Sequence, residues 1–150
     1  MSEHRYETHL QWTGSTGLGW ESYDRAHTAL APPAEQEIGL TTGESKGDPA
    51  VLNPEQLLVM AASSCQMLMF LHLASKARFD VVTYEDHASG LMPADEGWIT
   101  EITLRPRIVV AGESNEERLH KLVGTAHEHC YIANSLRSEM TIEATLEVQT

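Results

Sequence analysis

The sequence predicts an α+β domain in which a sheet packs against a long central helix, with the element order β-β-β-α-β-β-α-β. Three observations support this fold class. They are an apolar helical segment over residues 53–77, alternating apolar and polar segments on both sides of it, and a second amphipathic helix that begins near residue 114. A chain of 150 residues is large enough for one real core and too small for two, so residues 1–150 are expected to form a single domain.

The central helix carries its own start signal. Asn53 can cap the helix, Pro54 suits the first helical position, and Gln56 stands at the third position of a capping box. Its apolar residues go round the whole helical wheel: Leu57, Leu58, Val59, Met60, Met67, Leu68, Met69, Phe70, Leu71 and Leu73. Such a helix is covered on every side, and one small sheet covers only one side, so a second copy of the chain is the simplest cover for the rest.

This helix is long enough to be mistaken for a membrane span. Polar residues such as Gln66, His72 and three serines interrupt it, and no positively charged flank fixes an orientation. We therefore expect a core helix and no membrane association.

The segment before the helix predicts three strands. Residues 6–13 and 20–29 form a hairpin joined by the glycine-rich turn 14–19, and the second arm places Tyr23, Arg25 and His27 on one face. The pair Pro32-Pro33 ends this arm, and residues 36–42 form a short third strand.

The segment after the helix predicts strands over 80–87, 99–110 and 140–149. Pro106 should place the second of these at a sheet edge or a bulge, because proline donates no ladder hydrogen bond. A capping box opening at Ser114 begins the second helix, whose buried stripe is Leu119, Leu122, Val123, Ala126 and Cys130.

Composition excludes some classes of function. The net charge is −12, from 22 acidic and 10 basic residues, so no basic surface is available for a nucleic acid. The N-terminus is polar and has no signal-peptide pattern, which indicates a cytoplasmic protein with reduced thiols. Cys65 and Cys130 are therefore inert core residues, metal ligands or a redox pair rather than a structural disulfide.

The candidate chemistry depends on what could activate a thiol. Cys65 follows a run of small residues, 61–64, that lets another backbone or a substrate come close. A thiol reacts as the thiolate, and Arg25, paired with a carboxylate such as Glu55, is the best candidate to favour that form. The alternative is that Cys65 is simply a small buried hydrophobe. Eight histidines also raise a weaker metal hypothesis through His127, Cys130 and Cys65, although no Cys-x-x-Cys or His-Glu-x-x-His pattern occurs.

Several motifs together resemble the OsmC/Ohr superfamily of osmotically inducible and organic hydroperoxide resistance proteins. These are Trp12 with the 14–19 turn, Tyr23-Asp24-Arg25-Ala26-His27, Asn53 to Leu58 with Cys65 ten residues after Glu55, Tyr84 to Gly90, Leu104-Arg105-Pro106, and Ala126 to Cys130. The resemblance covers nearly the whole chain. It implies an OsmC-like fold, an intertwined homodimer with its long central helices buried at the middle, and thiol peroxidase chemistry without a cofactor.

The resemblance also implies roles for individual residues. Cys65 is the peroxidatic cysteine, Cys130 resolves it, and Arg25, oriented by Glu55, favours the Cys65 thiolate and binds the peroxide oxygens. A Cys65–Cys130 disulfide then forms and is reduced by an external dithiol, for example of the lipoyl type. The expected substrate is an organic hydroperoxide, with apolar walls from Leu58, Met69 and Phe70.

The spacing of Glu55 and Cys65 needs an explanation. On an unbroken helix ten residues separate them by about 15 Å along the axis and roughly 80° around it. Either the helix breaks, or Arg25 bridges the gap, or Glu55 serves the site of the other subunit. A non-catalytic binding or scaffold dimer and a metal-binding protein are the competing functions.

Overall fold

A computed structural model describes residues 2–149. The chain divides into two compact units, residues 1–57 and 58–150, and each is described by itself. The nine strands are β1 (His9–Gln11), β2 (His27–Leu30), β3 (Glu37–Leu40), β4 (Asp80–Asp86), β5 (Ser89–Leu91), β6 (Glu101–Leu104), β7 (Pro106–Ala111), β8 (Glu139–Ile142) and β9 (Thr145–Gln149). The two α-helices are α1 (Pro54–Lys76) and α2 (Glu116–His129). This mixed architecture confirms the predicted α+β class; the single domain over residues 1–150 and the homodimer stay predictions.

The first unit is built on an antiparallel sheet of strand order β1-β2-β3. The predicted hairpin between its first two strands is confirmed, with His9 opposite Leu30 and Gln11 opposite Thr28. The predicted second arm is wrong for residues 20–26, which form a loop. Two consecutive N–H groups, those of Ser22 and Tyr23, bond to the carbonyl of Gly19, and this turn prevents an extended strand.

Each end of α1 has an identifiable cap. At its start, the Asn53 side chain accepts from the Gln56 N–H at 2.9 Å, and the Gln56 side chain accepts from the Asn53 N–H at 3.1 Å. This confirms the predicted capping box. At its end, Arg78 adopts a left-handed φ of 64°, and the Phe79 N–H bonds back to Ala74 at 2.9 Å. A left-handed residue just after the last turn is a common way to stop a helix.

Opposite faces of α1 have different surroundings. Every fourth residue on one face is buried: Ala62, Gln66, Phe70 and Ala74. The opposite face carries a stripe of Met60, Ser64, Leu68 and His72 that is exposed, with Met60 46% and Leu68 61% accessible. Hereafter this set is called the α1 outer stripe. One chain therefore covers one side of the helix and leaves apolar side chains uncovered on the other.

The second unit contains two three-stranded sheets, β4-β7-β9 and β5-β6-β8. The predicted single strand over 99–110 is wrong, because it breaks at Arg105 into β6 and β7, which belong to different sheets. Pro106 is the first residue of β7, which lies in the middle of its sheet rather than at an edge. The predicted final strand likewise divides into β8 and β9. Both breaks lie side by side, since β6 pairs in parallel with β8 and β7 pairs in parallel with β9.

Asp86 fixes the point where the chain passes between these sheets. Its carboxylate accepts from the Ser63 hydroxyl on α1 at 2.5 Å and from the Arg105 N–H at 2.6 Å. The Arg105 guanidinium in turn donates to the His87 carbonyl and lies 3.6 Å from the Glu143 carboxylate. We call this set the Asp86 clasp.

The core of the second unit joins both helices to the sheets. One cluster contains Phe70, Ala74, Ile108, Val110, Leu119, Val123 and Ala126, and a second contains Ala62, Ile102 and Leu104. The cap of α2 is Asn115 rather than Ser114, and its side chain accepts from the Arg118 N–H at 3.0 Å. The predicted stripe of α2 is confirmed by the burial of Leu119, Val123 and Ala126.

By length and composition alone, α1 could cross a membrane. One such helix is weak evidence, because the core helix of a soluble protein has the same properties. Here α1 places Phe70 and Ala74 in the core of the second unit.

Candidate functional site: a thiol pair and a cationic groove

The second unit brings the two cysteines together. Both are free thiols; Cys65 lies on α1 and is half-buried, whereas Cys130 caps the C-terminal end of α2 and is 0% exposed. The Cys130 thiol lies close enough to Cys65 for the Cys65 thiol to raise its pKa. Two neighbouring thiols can join as a disulfide when their α-carbons come to about 4.4–6.8 Å from each other.

The surroundings of Cys130 favour its neutral form. Burial raises the pKa of the Cys130 thiol, and the neighbouring Cys65 thiol raises this pKa further. The backbone N–H groups of Ala133 and Ile132 act in the opposite sense. The Ala133 N–H lies 3.5 Å from the Cys130 sulfur, in the turn that follows α2.

Three buried polar atoms in this unit have no hydrogen-bond partner among residues 2–149: Gln66 Oε1, the Tyr84 hydroxyl and His127 Nδ1. Gln66 follows Cys65 on α1, and its amide donates to the Val123 carbonyl of α2 at 3.1 Å. Burial, the Asp86 carboxylate and Cys130 all raise the pKa of Tyr84.

In the first unit, Arg25 is held by its own loop. Its guanidinium donates to the Tyr23 carbonyl at 2.6 Å and to the Trp20 carbonyl, and it lies 3.6 Å from the centre of the Tyr23 ring. The Trp12 indole donates to the Asp24 carbonyl at 2.8 Å and stands edge-on to Tyr23. Because residues 20–26 are a loop, Arg25 does not share a strand face with Tyr23 and His27 as predicted.

Arg25 and Glu55 line the same groove of about 410 Å³. Its walls include Leu10, Trp12, Tyr23, His27 and Pro54. No ion pair joins Arg25 to Glu55 among residues 2–149, where backbone carbonyls hold the guanidinium instead. The groove combines aromatic walls with one cation and one carboxylate, which suits an amphiphilic ligand with a polar oxygen group.

The structure answers part of the spacing question for Glu55. Glu55 and Cys65 lie on one uninterrupted helix, so the explanation in which the helix breaks is excluded. The other two explanations remain predictions.

The expected substrate walls need one correction. Phe70 is 1% exposed and packs in the core, with its ring 5.9 Å from that of Tyr84, so it has no surface to offer a ligand. Leu58 is half-buried, and half-buried Met69 packs against the same core. The aromatic walls of the groove, Trp12 and Tyr23, were not predicted as lining residues. The signal that could have identified them is their position on either side of the glycine turn.

Comparison with protein families shows which family the chain belongs to. The model of the OsmC-like protein family matches residues 46–145, which is more than half of the chain. The chain belongs to the OsmC-like protein family. This confirms the resemblance drawn from the motifs.

Solved structures of other OsmC-like proteins agree with this assignment. An OsmC-like protein of unknown function from Vibrio cholerae is 31% identical, over 97% of this chain and 100% of that chain, with a TM-score of 0.84. An organic hydroperoxide resistance protein OsmC from Legionella pneumophila is 16% identical over 99% and 100% of the two chains, with a TM-score of 0.67. The organic hydroperoxide resistance protein OhrB of Bacillus subtilis is 17% identical over 97% and 98%, with a TM-score of 0.60. The last two show a shared fold. Comparison with curated proteins finds no significant match.

The metal hypothesis gains no support from the geometry of this OsmC-like protein. Within residues 2–149 no group of three or more His, Cys, Asp or Glu side chains is arranged to hold a metal ion.

Proposed function

We propose that this OsmC-like protein is a cysteine-based peroxidase that reduces organic hydroperoxides to alcohols. Family membership and the likeness to organic hydroperoxide resistance proteins support a redox-related role. The observation that carries the finer proposal is the proximity of the half-buried Cys65 thiol to the buried Cys130 thiol.

The proposed cycle begins at Cys65. Its thiolate attacks one peroxide oxygen, the O–O bond breaks, and the alcohol leaves with a proton, so Cys65 becomes a sulfenic acid. The Cys130 sulfur then attacks the Cys65 sulfur, water leaves, and a Cys65–Cys130 disulfide forms. An external dithiol reduces this disulfide and becomes a disulfide itself.

We assign the Arg25 guanidinium to the peroxide oxygens and to the support of the Cys65 thiolate, with Glu55 as its orienting partner. The support for this assignment is that Arg25 and Glu55 line one groove with aromatic walls. A fork of N–H donors that is already fixed by backbone carbonyls is preorganised for an anionic oxygen.

We further propose a homodimer in the cytoplasm. In the first unit Tyr6, Leu10, Leu18 and Trp20 are exposed, and the α1 outer stripe leaves Met60 and Leu68 exposed in the second. Apolar surface on this scale indicates contact with another protein surface. A second copy of the chain supplies it.

Turnover of cumene hydroperoxide with dithiothreitol or dihydrolipoamide as reductant tests the function. The wild-type protein should consume peroxide catalytically, Cys65→Ser should be inactive, and Cys130→Ser should lose turnover while Cys65 accumulates sulfenic or higher acids. Peptide mass spectrometry after one equivalent of peroxide should find Cys65 linked to Cys130 within one chain. Over-oxidised Cys65 beside a free Cys130 in the wild type would contradict the resolving role.

A non-catalytic ligand-binding dimer is the second candidate. The observation that favours it is the groove of about 410 Å³, which holds Arg25 and Glu55 whether or not a thiol reacts. Absence of turnover together with saturable binding of a hydrophobic acid that Arg25→Ala abolishes would identify this function.

A further inference from the structure

The two sulfurs of the thiol pair differ sharply in access. Cys130 is 0% exposed, whereas Cys65 is half-buried and therefore reachable from outside the second unit. Thiol–disulfide exchange needs a thiolate to approach one sulfur in line with the bond that breaks. An external thiolate has no path to the Cys130 sulfur.

The turn after α2 surrounds the Cys130 sulfur with backbone donors. The Ala133 N–H lies 3.5 Å from Sγ, and the Ile132 N–H also stabilises the charged form of this sulfur. Successive N–H groups that converge on one atom form an anion-binding site. This turn can therefore receive negative charge that develops on Cys130.

Resting on the proposed peroxidase cycle, we propose that the external dithiol attacks only the Cys65 sulfur of the oxidised protein, and that Cys130 is always the leaving sulfur. The mixed disulfide between reductant and protein is then confined to Cys65. The reductant that fits this site is a dithiol narrow enough to reach one half-buried sulfur.

One thiolate of the dithiol attacks Cys65 Sγ, the Cys65–Cys130 bond breaks, and its electron pair stays on Cys130 Sγ, which takes a proton. The second thiol of the reductant loses its proton and attacks the reductant's own sulfur in the mixed disulfide. Cys65 leaves as a thiolate, and the reductant departs as a cyclic disulfide that joins its two sulfurs.

The burial of Cys130 disfavours its role as the leaving sulfur, but the difference in access between the two sulfurs outweighs this effect. A leaving thiol departs more slowly when its pKa is high, and burial raises the pKa of Cys130. However, the alternative attack on Cys130 requires the turn to open. The N–H groups of Ala133 and Ile132 offset part of the burial cost, and protonation of Cys130 afterwards prevents its return to the mixed disulfide.

Asn134 is the positioning residue of this turn. Its side chain donates to the Glu128 carbonyl at 3.1 Å, and its N–H bonds to the Cys130 carbonyl at 3.0 Å. It thus ties the turn to the last residues of α2. Without the side-chain bond the turn should loosen and expose Cys130.

The test begins with protein oxidised by diamide, so that it does not depend on peroxidase activity. The disulfide is treated with a monothiol such as 2-mercaptoethanol, quenched with acid, alkylated, and mapped by peptide mass spectrometry. We expect the monothiol adduct on Cys65 and alkylated Cys130. Adducts found mainly on Cys130 would overturn the proposal and leave the peroxidase function intact.

Single-thiol variants give a second measurement that needs no disulfide. Cys130→Ser should react with 5,5′-dithiobis(2-nitrobenzoate) through Cys65 about tenfold or more faster than Cys65→Ser reacts through Cys130, because access limits the exchange. Equal rates would overturn the proposal.

Asn134→Ala should move part of the monothiol adduct to Cys130. The matched control is Ser135→Ala in the same turn, which removes the hydrogen bond from the Ser135 hydroxyl to the Tyr131 carbonyl at 2.7 Å. The control should keep the adduct on Cys65. A general loss of stability would shift both variants alike, which contradicts a positioning role for Asn134.

Discussion

Arg25 illustrates how a residue can be identified by its type while its surroundings are misjudged. The sequence placed it on a strand and paired it with Glu55. In the folded chain it bends back to two carbonyls of its own loop and stacks on Tyr23. The planar guanidinium group of arginine can donate to two carbonyl oxygens and still present N–H groups to a ligand.

Arg25→Lys should therefore be nearly as damaging to peroxide turnover as Arg25→Ala, since an ammonium keeps the charge and loses the fork. We expect a loss of about 30- to 1000-fold in rate, or roughly 2 to 4 kcal/mol of transition-state stabilisation, for either variant. Glu55→Gln is the control and should cost less, because it removes an orienting partner and leaves the cation. Steady-state peroxide turnover measures these losses. Wild-type rates in Arg25→Ala would show that another arginine serves the thiol.

Cys130 and Tyr84 should make the reduced protein less stable at alkaline pH. Both have a raised pKa in the fold, so the folding stability that each contributes as a neutral group is fully present below the ordinary thiol pKa. It is lost as the pH rises from about 8.5 towards the raised values, at up to about 1.4 kcal/mol per pH unit for each group. Urea unfolding at pH 7 and at alkaline pH measures this loss.

Two variants separate these contributions. Cys130→Ala should flatten the loss that begins near the ordinary thiol pKa. Tyr84→Phe should flatten only the part at higher pH, and at pH 7 it should leave stability unchanged or higher by about 1 kcal/mol, because the buried hydroxyl has no partner among residues 2–149. If the unfolding free energy falls with pH equally steeply in the wild type and both variants, this account is refuted.

At the scale of elements, the paired strand breaks at Arg105 and Glu143 decide the architecture of the second unit. Each strand leaves one sheet and enters the next while keeping its parallel neighbour, and the Glu143 N–H bonds to the Leu104 carbonyl at 2.8 Å across the junction. The Asp86 clasp holds this junction against α1 through Ser63.

Asp86→Ala should destabilise the protein by about 1 to 3 kcal/mol, because it leaves the Arg105 N–H and the Ser63 hydroxyl without their acceptor. Ser63→Ala removes one hydrogen bond together with its donor and should cost only about 0.5 to 1.5 kcal/mol. Chemical denaturation of both variants and of the double variant gives their coupling. Strictly additive losses would mean that the two residues do not act together.

At the scale of the whole molecule, the amount of apolar surface left uncovered is the main feature. The first unit buries Leu40 and Thr41 among its described residues, which is little for a three-stranded sheet. The α1 outer stripe is a second uncovered surface. Neither surface is expected to stay in contact with water in a stable protein.

We expect gel filtration with light scattering to give a dimer, and Leu68→Glu in the α1 outer stripe to dissociate or unfold it. A buried charge without a partner at such an interface would cost several kcal/mol. Leu91→Glu is the matched control, since Leu91 is 52% exposed but lies in β5. A stable wild-type monomer, or dissociation by Leu91→Glu alone, would exclude this stripe as the interface.

Local patterns predicted most elements of the fold because their causes are local. The capping box at Asn53, the alternation in β7 and the spacing of Leu119, Val123 and Ala126 act within a few residues. The candidate site was less predictable. The type of each residue, Cys65, Cys130, Arg25 and Glu55, was available from motifs, whereas the contacts that each makes depend on distant segments.

The sequence by itself determined the class of fold, the length and N-terminal cap of α1, and the family. Tertiary structure alone decided that 99–110 is two strands, that Phe70 belongs to the core, and that Cys130 lies near Cys65 and is fully buried. The physical reason is the distance along the chain over which each feature is determined. Periodicity and capping depend on neighbours within one or two turns, but a strand that changes sheets is set by its partner strands, and the access of a sulfur is set by everything packed around it.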